Sequence, residues 1–467
     1  MFQPRHAFRR LITAPLFLVA IFGCMGSGGG RGGRPGSPDE RRSTPRRASL
    51  PGVMDPVALY ENAGLMAAQE PLPFVGNVRY LAGSSSDTTL VLVTLSLANR
   101  ALTFTPEGEG HRAGYSVVID ARQGATTSAH SDARESVRVA SFKETIRADE
   151  SVIFQEFLRL PSGQHVLTVA IRDEGSSRTS TADLPLSVPR FGQTALSSPV
   201  AVYQAQPRSS TDSVPVLVAN PRATAVFGRD STIQLYLEGY NLAADAPVDV
   251  VVTNEKRTPV WRDTITLSRH GLVSGDIVTI PVGKLGVGQL AMTASLIGST
   301  DTVRSPVFVN FADDIAIASF DQMLDLLRYF TTEDRLRALR DTSAEQRAAA
   351  WGAFWRETDP APTTAEHEGL REYFNRIQLA NDRFREEGIP GWLTDRGMVY
   401  VTLGEPDQVL EQGESNLSQR GRAQMWTYNQ HQLQVVFIDQ TGFGRWRMTT
   451  ASEGDFQSVA HRVRARD

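Results

Sequence analysis

Asp395, Arg396 and Asp407 place two carboxylates and a guanidinium inside one short run, "GWLTDRGMVYVTLGEPD", from Gly391 to Asp407. Gathered in a pocket, such groups could move a proton or stabilise a developing charge. Acid–base sites draw on a wider partner set, and this run holds no histidine, serine or cysteine to complete one. The same residues suit a rigid corner better. Gly391 and Gly397 are expected to supply backbone freedom at the two ends of a tight connection, with Trp392 plugging the gap between a helix and a sheet. Thr394 or Asp395 is expected to hydrogen-bond nearby backbone amides, and Arg396 to pair with Asp395, Asp407 or Asp439. Pro406 fixes the turn that Gly404 opens, and Asp439 with Gly442 and Gly444 predicts a hairpin.

The rest of the chain offers no stronger constellation. His367-Glu368 lacks the second histidine that a metalloprotease helix places four residues on, and the eight histidines are scattered, so no metal site is expected. Gly28 to Gly33 spells a dinucleotide-binding GxGxxG, but no strand precedes it and no helix follows, and a second loose match at Gly108 leads into a strand. There is no GxSxG elbow and no phosphate-binding Walker loop, and no cofactor is expected. Acidic residues are plentiful, so a carboxylate pair assembled by folding leaves a hydrolase open as a minor reading.

Arg5, Arg9 and Arg10 followed by the apolar stretch Leu11 to Phe22 read as a secretory signal over 1–23, too short for the roughly 20 residues that span a bilayer. Cys24 is the only cysteine in 467 residues, which excludes an internal disulfide. Ile21-Phe22-Gly23-Cys24 resembles a bacterial lipobox, with Phe22 bulkier than that pattern usually has. The resemblance implies lipidation of Cys24; a plain signal peptide with an incidental cysteine is the alternative. Residues 24–70 read as a disordered tether, because Gly, Ser, Pro and Arg dominate its first part and leave little apolar surface to bury. Its arginines, among them Arg31, Arg41 and Arg46, either touch anionic headgroups or are simply solvated. Formal net charge is −4, and losing Arg5, Arg9 and Arg10 with the signal leaves −7, which disfavours nucleic-acid binding.

Stepwise along the folded part, the hydrophobic period is two and then 3.6. Runs such as "TTLVLVTLSLAN" (Thr88 to Asn99) and "GYSVVIDAR" (Gly114 to Arg122) predict an immunoglobulin-like β-sandwich over 71–189. After a linker near Arg190 to Arg208, runs such as "STIQLYLEGYN" and "GQLAMTASLIG" predict a second sandwich over 209–311. Capping boxes at Ser319/Gln322, Thr342/Glu345 and Thr363/Glu366 predict helices, the last carrying Leu370, Tyr373, Phe374, Ile377, Asn381 and Phe384 on one face. A strand is expected over Met398 to Leu403, then strands at "QMWTYN" and "QVVFIDQTGFGRWRM", and a tail over 451–467.

The order of helix, Gly391-Trp392-Leu393-Thr394-Asp395-Arg396-Gly397, strand, Gly404-Glu405-Pro406-Asp407 turn and final strands resembles the GWxTD domain family over about Ile315 to Thr450. The resemblance implies an exported bacterial protein with β-sandwich modules ahead of a small α+β domain (315–450) containing an antiparallel sheet. It implies no activity. The expectation is an extracytoplasmic lipoprotein, anchored through Cys24 in the outer membrane, whose GWxTD domain and sandwiches bind or scaffold a protein or envelope glycan. A second reading, an accessory lipoprotein of outer-membrane assembly, rests on Gly404-x-Pro406 followed by Trp426-x-Tyr428 and Phe437.

Overall fold

A computed structural model describes residues 56–69, 71–145, 151–269, 271–310, 319–364, 366–412 and 421–465. The signal, Cys24 and Ile315 lie outside them. The chain is multidomain and mostly β, with several sheets, and its helices are concentrated in the C-terminal third.

The first region opens with α1 (Pro56–Asn62), β1 (Met66–Ala68), β2 (Phe74–Ala82) and β3 (Thr88–Ala98). Then come β4 (Thr105–Glu107), β5 (Gly110–Gln123), β6 (Thr126–Val139), α2 (Phe142–Thr145), β7 (Ser151–Pro161), β8 (Gly163–Asp173) and β9 (Thr179–Val188). One sheet has the order β1-β2-β3-β7; the other has β4-β5-β8-β9, with β6 also on β5. Val91, Val93 and Leu95 of the first sheet share a buried core with Val117, Ile119, Val169 and Ile171 of the second. Alternation along β5, buried at Ala113, Tyr115, Val117, Ile119 and Ala121, is the period-two pattern of a strand covered on one face. The expected tether over 24–70 therefore ends early. Leu59, Tyr60 and Leu65 are buried with Val75 and Phe308, giving α1 and β1 an apolar reason to order.

The second region comprises β10 (Ala195–Leu196), β11 (Val200–Gln206), β12 (Val216–Ala219), β13 (Thr224–Val226) and β14 (Thr232–Tyr240). It continues with β15 (Ala246–Thr253), β16 (Pro259–Leu267), β17 (Val273–Pro281), β18 (Gly288–Leu296) and β19 (Thr302–Asn310). Its sheets are β10-β14-β11-β12, with β17 on β14, and β13-β19-β18-β15-β16. The expected linker at 190–208 carries two strands, β10 and β11, because Val200, Ala201 and Val202 bury themselves in the first of these sheets.

Arg208 locks the two regions together. Its guanidinium donates from Nε to Glu238 Oε1 (2.8 Å) and from Nη2 to the Ala82 carbonyl (2.8 Å). Tyr236 and Tyr240 donate their hydroxyls to the same carboxylate at 2.6 and 2.5 Å, and the Ala82 amide donates to the Tyr240 hydroxyl. A buried ion pair whose remaining lone pairs are taken in this way fixes geometry more than it adds net stability.

The helices are α3 (Phe320–Leu326), α4 (Glu333–Arg340), α5 (Arg347–Thr358), α6 (Glu368–Arg383), α7 (Asp395–Leu403) and, after the terminal sheet, α8 (Thr450–Arg464). That sheet runs β20 (Gln408–Gln412), β21 (Arg422–Tyr428), β22 (Leu433–Asp439), β23 (Arg447–Met448) in order, all antiparallel. Ser319 caps α3 as expected, accepting from the Gln322 amide. The other two boxes do not start helices. The chain turns into α5 at Ser343, whose carbonyl accepts from Gln346 and Arg347 amides, and α6 is capped by the His367 ring. The expected tail over 451–467 is largely α8, with Phe456, Val459 and Ala460 buried.

One apolar core runs without a break from the second β-region into the helices and the terminal sheet. Phe227, which follows β13, meets Trp355 and Trp351 of α5 at ring-centroid distances of 5.6 and 6.5 Å. Arg347 reaches Asp321 and Glu255 across the same seam (3.5 and 3.8 Å). The α5 aromatics therefore pack both ways, Trp351 against Phe354 and Phe320 within the helical layer and against Phe227 of the β-region.

Candidate functional site

The corner between α6 and the terminal sheet is assembled by close approach. An added Cβ at Gly391 would meet the Ala380 carbonyl oxygen at 2.1 Å, and one at Gly397 would meet the Gly391 oxygen at 1.8 Å. Neither glycine has a positive φ, so contact rather than the expected backbone freedom requires them. Asn381, buried on the core side of α6, accepts the Trp392 amide through Oδ1 at 3.1 Å. Trp392 is buried as expected, with the Tyr329 ring at 5.7 Å and the Arg328 guanidinium over its face at 5.2 Å.

Thr394 donates to the Gly391 carbonyl (2.7 Å) and accepts from the Gly397 amide (3.1 Å). That second bond is an N-cap, so Met398 to Leu403 continues a helix, α7, instead of the expected strand. Gly404 ends α7 at φ +85°, and its carbonyl accepts the Tyr428 hydroxyl at 3.0 Å. Pro406 follows in the turn, and Asp407 Oδ2 takes the Asn429 amide at 2.6 Å.

Asp395 accepts the Met448 amide through Oδ2 at 2.7 Å, tying α7 to β23. Arg396 forms no ion pair among the described residues. Its guanidinium lies over Trp446 (4.8 Å) and Phe384 (5.3 Å), and burial lowers its pKa, with Glu386 opposing the shift. Cation–π contact with two rings replaces the carboxylate partner that the sequence suggested. Asp439 pairs instead with Arg422 (2.9 Å) and caps the hairpin tip through the Gly442 and Gly444 amides.

Thus Asp395, Arg396 and Asp407 serve three different structural tasks, and none of them lines either of the two cavities beside α6. Sequence reasoning missed Glu386, which is buried and holds the Trp446 amide (3.0 Å) and Arg447 Nη1 (2.9 Å). Its signal was weak, one glutamate in a charged stretch. Asn381 stands in the sequence on that aromatic helix face as its one amide, but its bond to the Trp392 amide is not local.

On the opposite side of the corner, α6 and the end of α7 frame an open groove of about 660 Å³. Asn375, Gln378 and Asp382 line it, with Leu379, Leu403 and Tyr400 forming an apolar strip. The Glu372–Arg376 ion pair (3.0 Å) separates it from a smaller cavity of about 150 Å³ beside Tyr373 and Val401. Among the described residues no cluster of His, Cys, Asp or Glu is arranged to hold a metal ion, and no helix is long and apolar enough to cross a membrane.

The family described as GWxTD domain matches residues 301–442. No curated protein sequence resembles the chain closely enough to count as a relative. Among solved structures, dimeric latent PorU from Porphyromonas gingivalis is similar at 10% identity and TM-score 0.24, over 50% of this chain and 20% of that one. The BSP domain of a biofilm-associated protein is similar at 10% identity and TM-score 0.17, covering 55% and 54%. Bifidobacterium dentium β-glucuronidase has 10% identity and TM-score 0.17, covering 54% and 45%. The chain thus spans a fifth to about half of these structures, and likenesses at these scores establish neither fold nor function.

Proposed function

Because the chain carries a GWxTD domain at its C-terminal end, we propose that it is an exported, membrane-anchored binding or scaffolding protein without catalytic activity of its own. The observation that carries this reading is the fate of the motif. Thr394, Asp395 and Asp407 each hydrogen-bond to backbone, and the Arg396 guanidinium lies over rings, so the run acts as a structural corner. What the domain offers outward is surface. Val409 and Leu410 are 45% and 53% exposed on β20, which among the described residues pairs on one side only, and a sheet edge with apolar side chains is suited to strand addition.

The paired sheets of the two β-regions fit immunoglobulin-like sandwiches acting as a stalk, and Cys24 is the proposed lipid anchor in the outer membrane. A photo-crosslinking amino acid at Leu410, in the full chain expressed in its own cells, is expected to give a discrete adduct in the envelope fraction. Absence of any adduct at Val409, Leu410 and the exposed tip residue Phe443 would overturn the binding reading. Cys24→Ser is expected to move the protein to the soluble fraction; equal membrane retention would remove the anchor.

A further inference from the structure

The α6–α7 groove has a composition that selects a ligand class. Asn375, Gln378 and Asp382 project from successive turns of α6, and their side chains make no hydrogen bond among the described residues. Each is a planar group able to meet two vicinal hydroxyls, and together they supply amide donors, amide acceptors and a carboxylate acceptor. Beside them run Leu379, 41% exposed, and Leu403, an apolar strip against which a ring bearing only C–H can rest.

Charge narrows the choice. Glu372, Asp382 and Glu405 outnumber Arg376 in the lining, and although Arg383 stands behind Glu405 (2.6 Å) and Arg376 beside Glu372 (3.0 Å), Asp382 leaves the groove net negative. A phosphorylated or uronate ligand would meet repulsion and no free guanidinium. A peptide strand would find helical surface with its backbone groups already paired. The volume of about 660 Å³ lies within the roughly 300–1,000 Å³ of small-ligand sites.

We infer that this groove binds an uncharged oligosaccharide, with hydroxyls on Asn375, Gln378 and Asp382 and a sugar C–H face on Leu379. The inference rests on the binding reading above and names a ligand for a different face of the same domain. Glu372–Arg376 forms the inner wall, close to the Gly404 turn, where the Arg376 guanidinium carbon would lie only 3.3 Å from an added Cβ.

The test is calorimetric titration of the full chain in detergent with N-acetylchitotetraose and maltotetraose, and with tetragalacturonate as the charged counterpart. At least one neutral tetrasaccharide is expected to bind saturably and the uronate not at all. The double substitution Asn375→Ala/Gln378→Ala, at exposed positions, is expected to weaken binding by about ten-fold or more with unchanged thermal unfolding. Leu379→Arg should weaken it too. Absence of saturable binding by both neutral sugars, preference for the uronate, or full affinity in the double variant would each overturn the inference. A protein adduct at Leu410 combined with no sugar binding would remove this inference and leave the binding reading standing.

Discussion

Gly391 lies so close to Ala380 that its own hydrogen occupies the space a side chain would need: a Cβ would stand 2.1 Å from the Ala380 carbonyl oxygen. The contact lets the chain fold back against α6 and places the Trp392 amide on Asn381. Gly391→Ala is therefore expected to cost at least about 3 kcal/mol, since the neighbour is backbone and cannot rotate away. Urea midpoints of the two proteins check it, and an unchanged midpoint would mean the two segments are not in contact.

Trp392 and Asp395 separate packing from tethering. Trp392→Ala empties a buried site between Tyr329 and Arg328 and is expected to destabilise by about 3–5 kcal/mol. Asp395→Asn keeps an oxygen able to accept the Met448 amide and should cost less than about 1 kcal/mol. Equal losses in thermal unfolding would show that the Asp395 charge is needed as well as its bond.

His367 makes stability sensitive to mild acid. Its Nδ1 accepts the Leu370 amide, and its Nε2 pairs with Thr358, whose hydroxyl donates to the Phe354 carbonyl. The ring is thus neutral with its proton on Nε2, and burial lowers its pKa. A histidine with a depressed folded pKa contributes stability that is full above the unfolded value of about 6.5 and is lost as pH falls below it. Urea midpoints are expected to drop from pH 7.5 to 5.5, and less so in His367→Asn, where an untitratable cap replaces the ring. An identical slope in both would place the titration elsewhere.

Asp439 acts lower on the pH scale. Burial works to raise its pKa, but hydrogen bonds from Arg422, Gly444, Thr441 and Gly442 together hold it down at about 2. Its contribution, on the order of 1–2 kcal/mol, is present above the unfolded carboxylate range near pH 4 and is lost as pH falls towards 2. Asp439→Asn should lower stability at neutral pH and flatten the acid limb in that window. A variant whose loss persists undiminished at pH 2 would show a packing effect instead.

Cutting the chain ahead of Phe320 strips Trp351 and Trp355 of Phe227 and the β-region beneath them. Such a fragment is expected to bind a hydrophobic dye and to melt without cooperativity, while the full chain melts cooperatively. A sharp transition in the fragment would show that the shared core is dispensable.

Much of this was legible from residues. Alternation at Gly114 to Arg122 marks β5 because one face of it is covered, and the continuous β-branched and leucine run at Thr88 to Asn99 marks β3 because both of its faces are. The burial of Trp392 follows from a tryptophan between a helix stop and a turn. Met398 to Leu403 misleads for a physical reason: Val399, Tyr400, Val401 and Thr402 are all buried, so β-branched residues form a continuous apolar run that lacks a helical period. Thr394 followed by Asp395 was the local sign of a helix start. The ring contacts of Arg396 depend on Trp446, fifty residues on, which no local pattern connects to it.

The boundary of the GWxTD match falls at residue 301, just ahead of β19. β19 hydrogen-bonds on one side to β18 and on the other to β13, both of which precede the match. In this chain the matched segment therefore lends one strand to a five-stranded sheet whose other four strands lie upstream of it, so the seam between the two regions is a β-ladder and not a hinge.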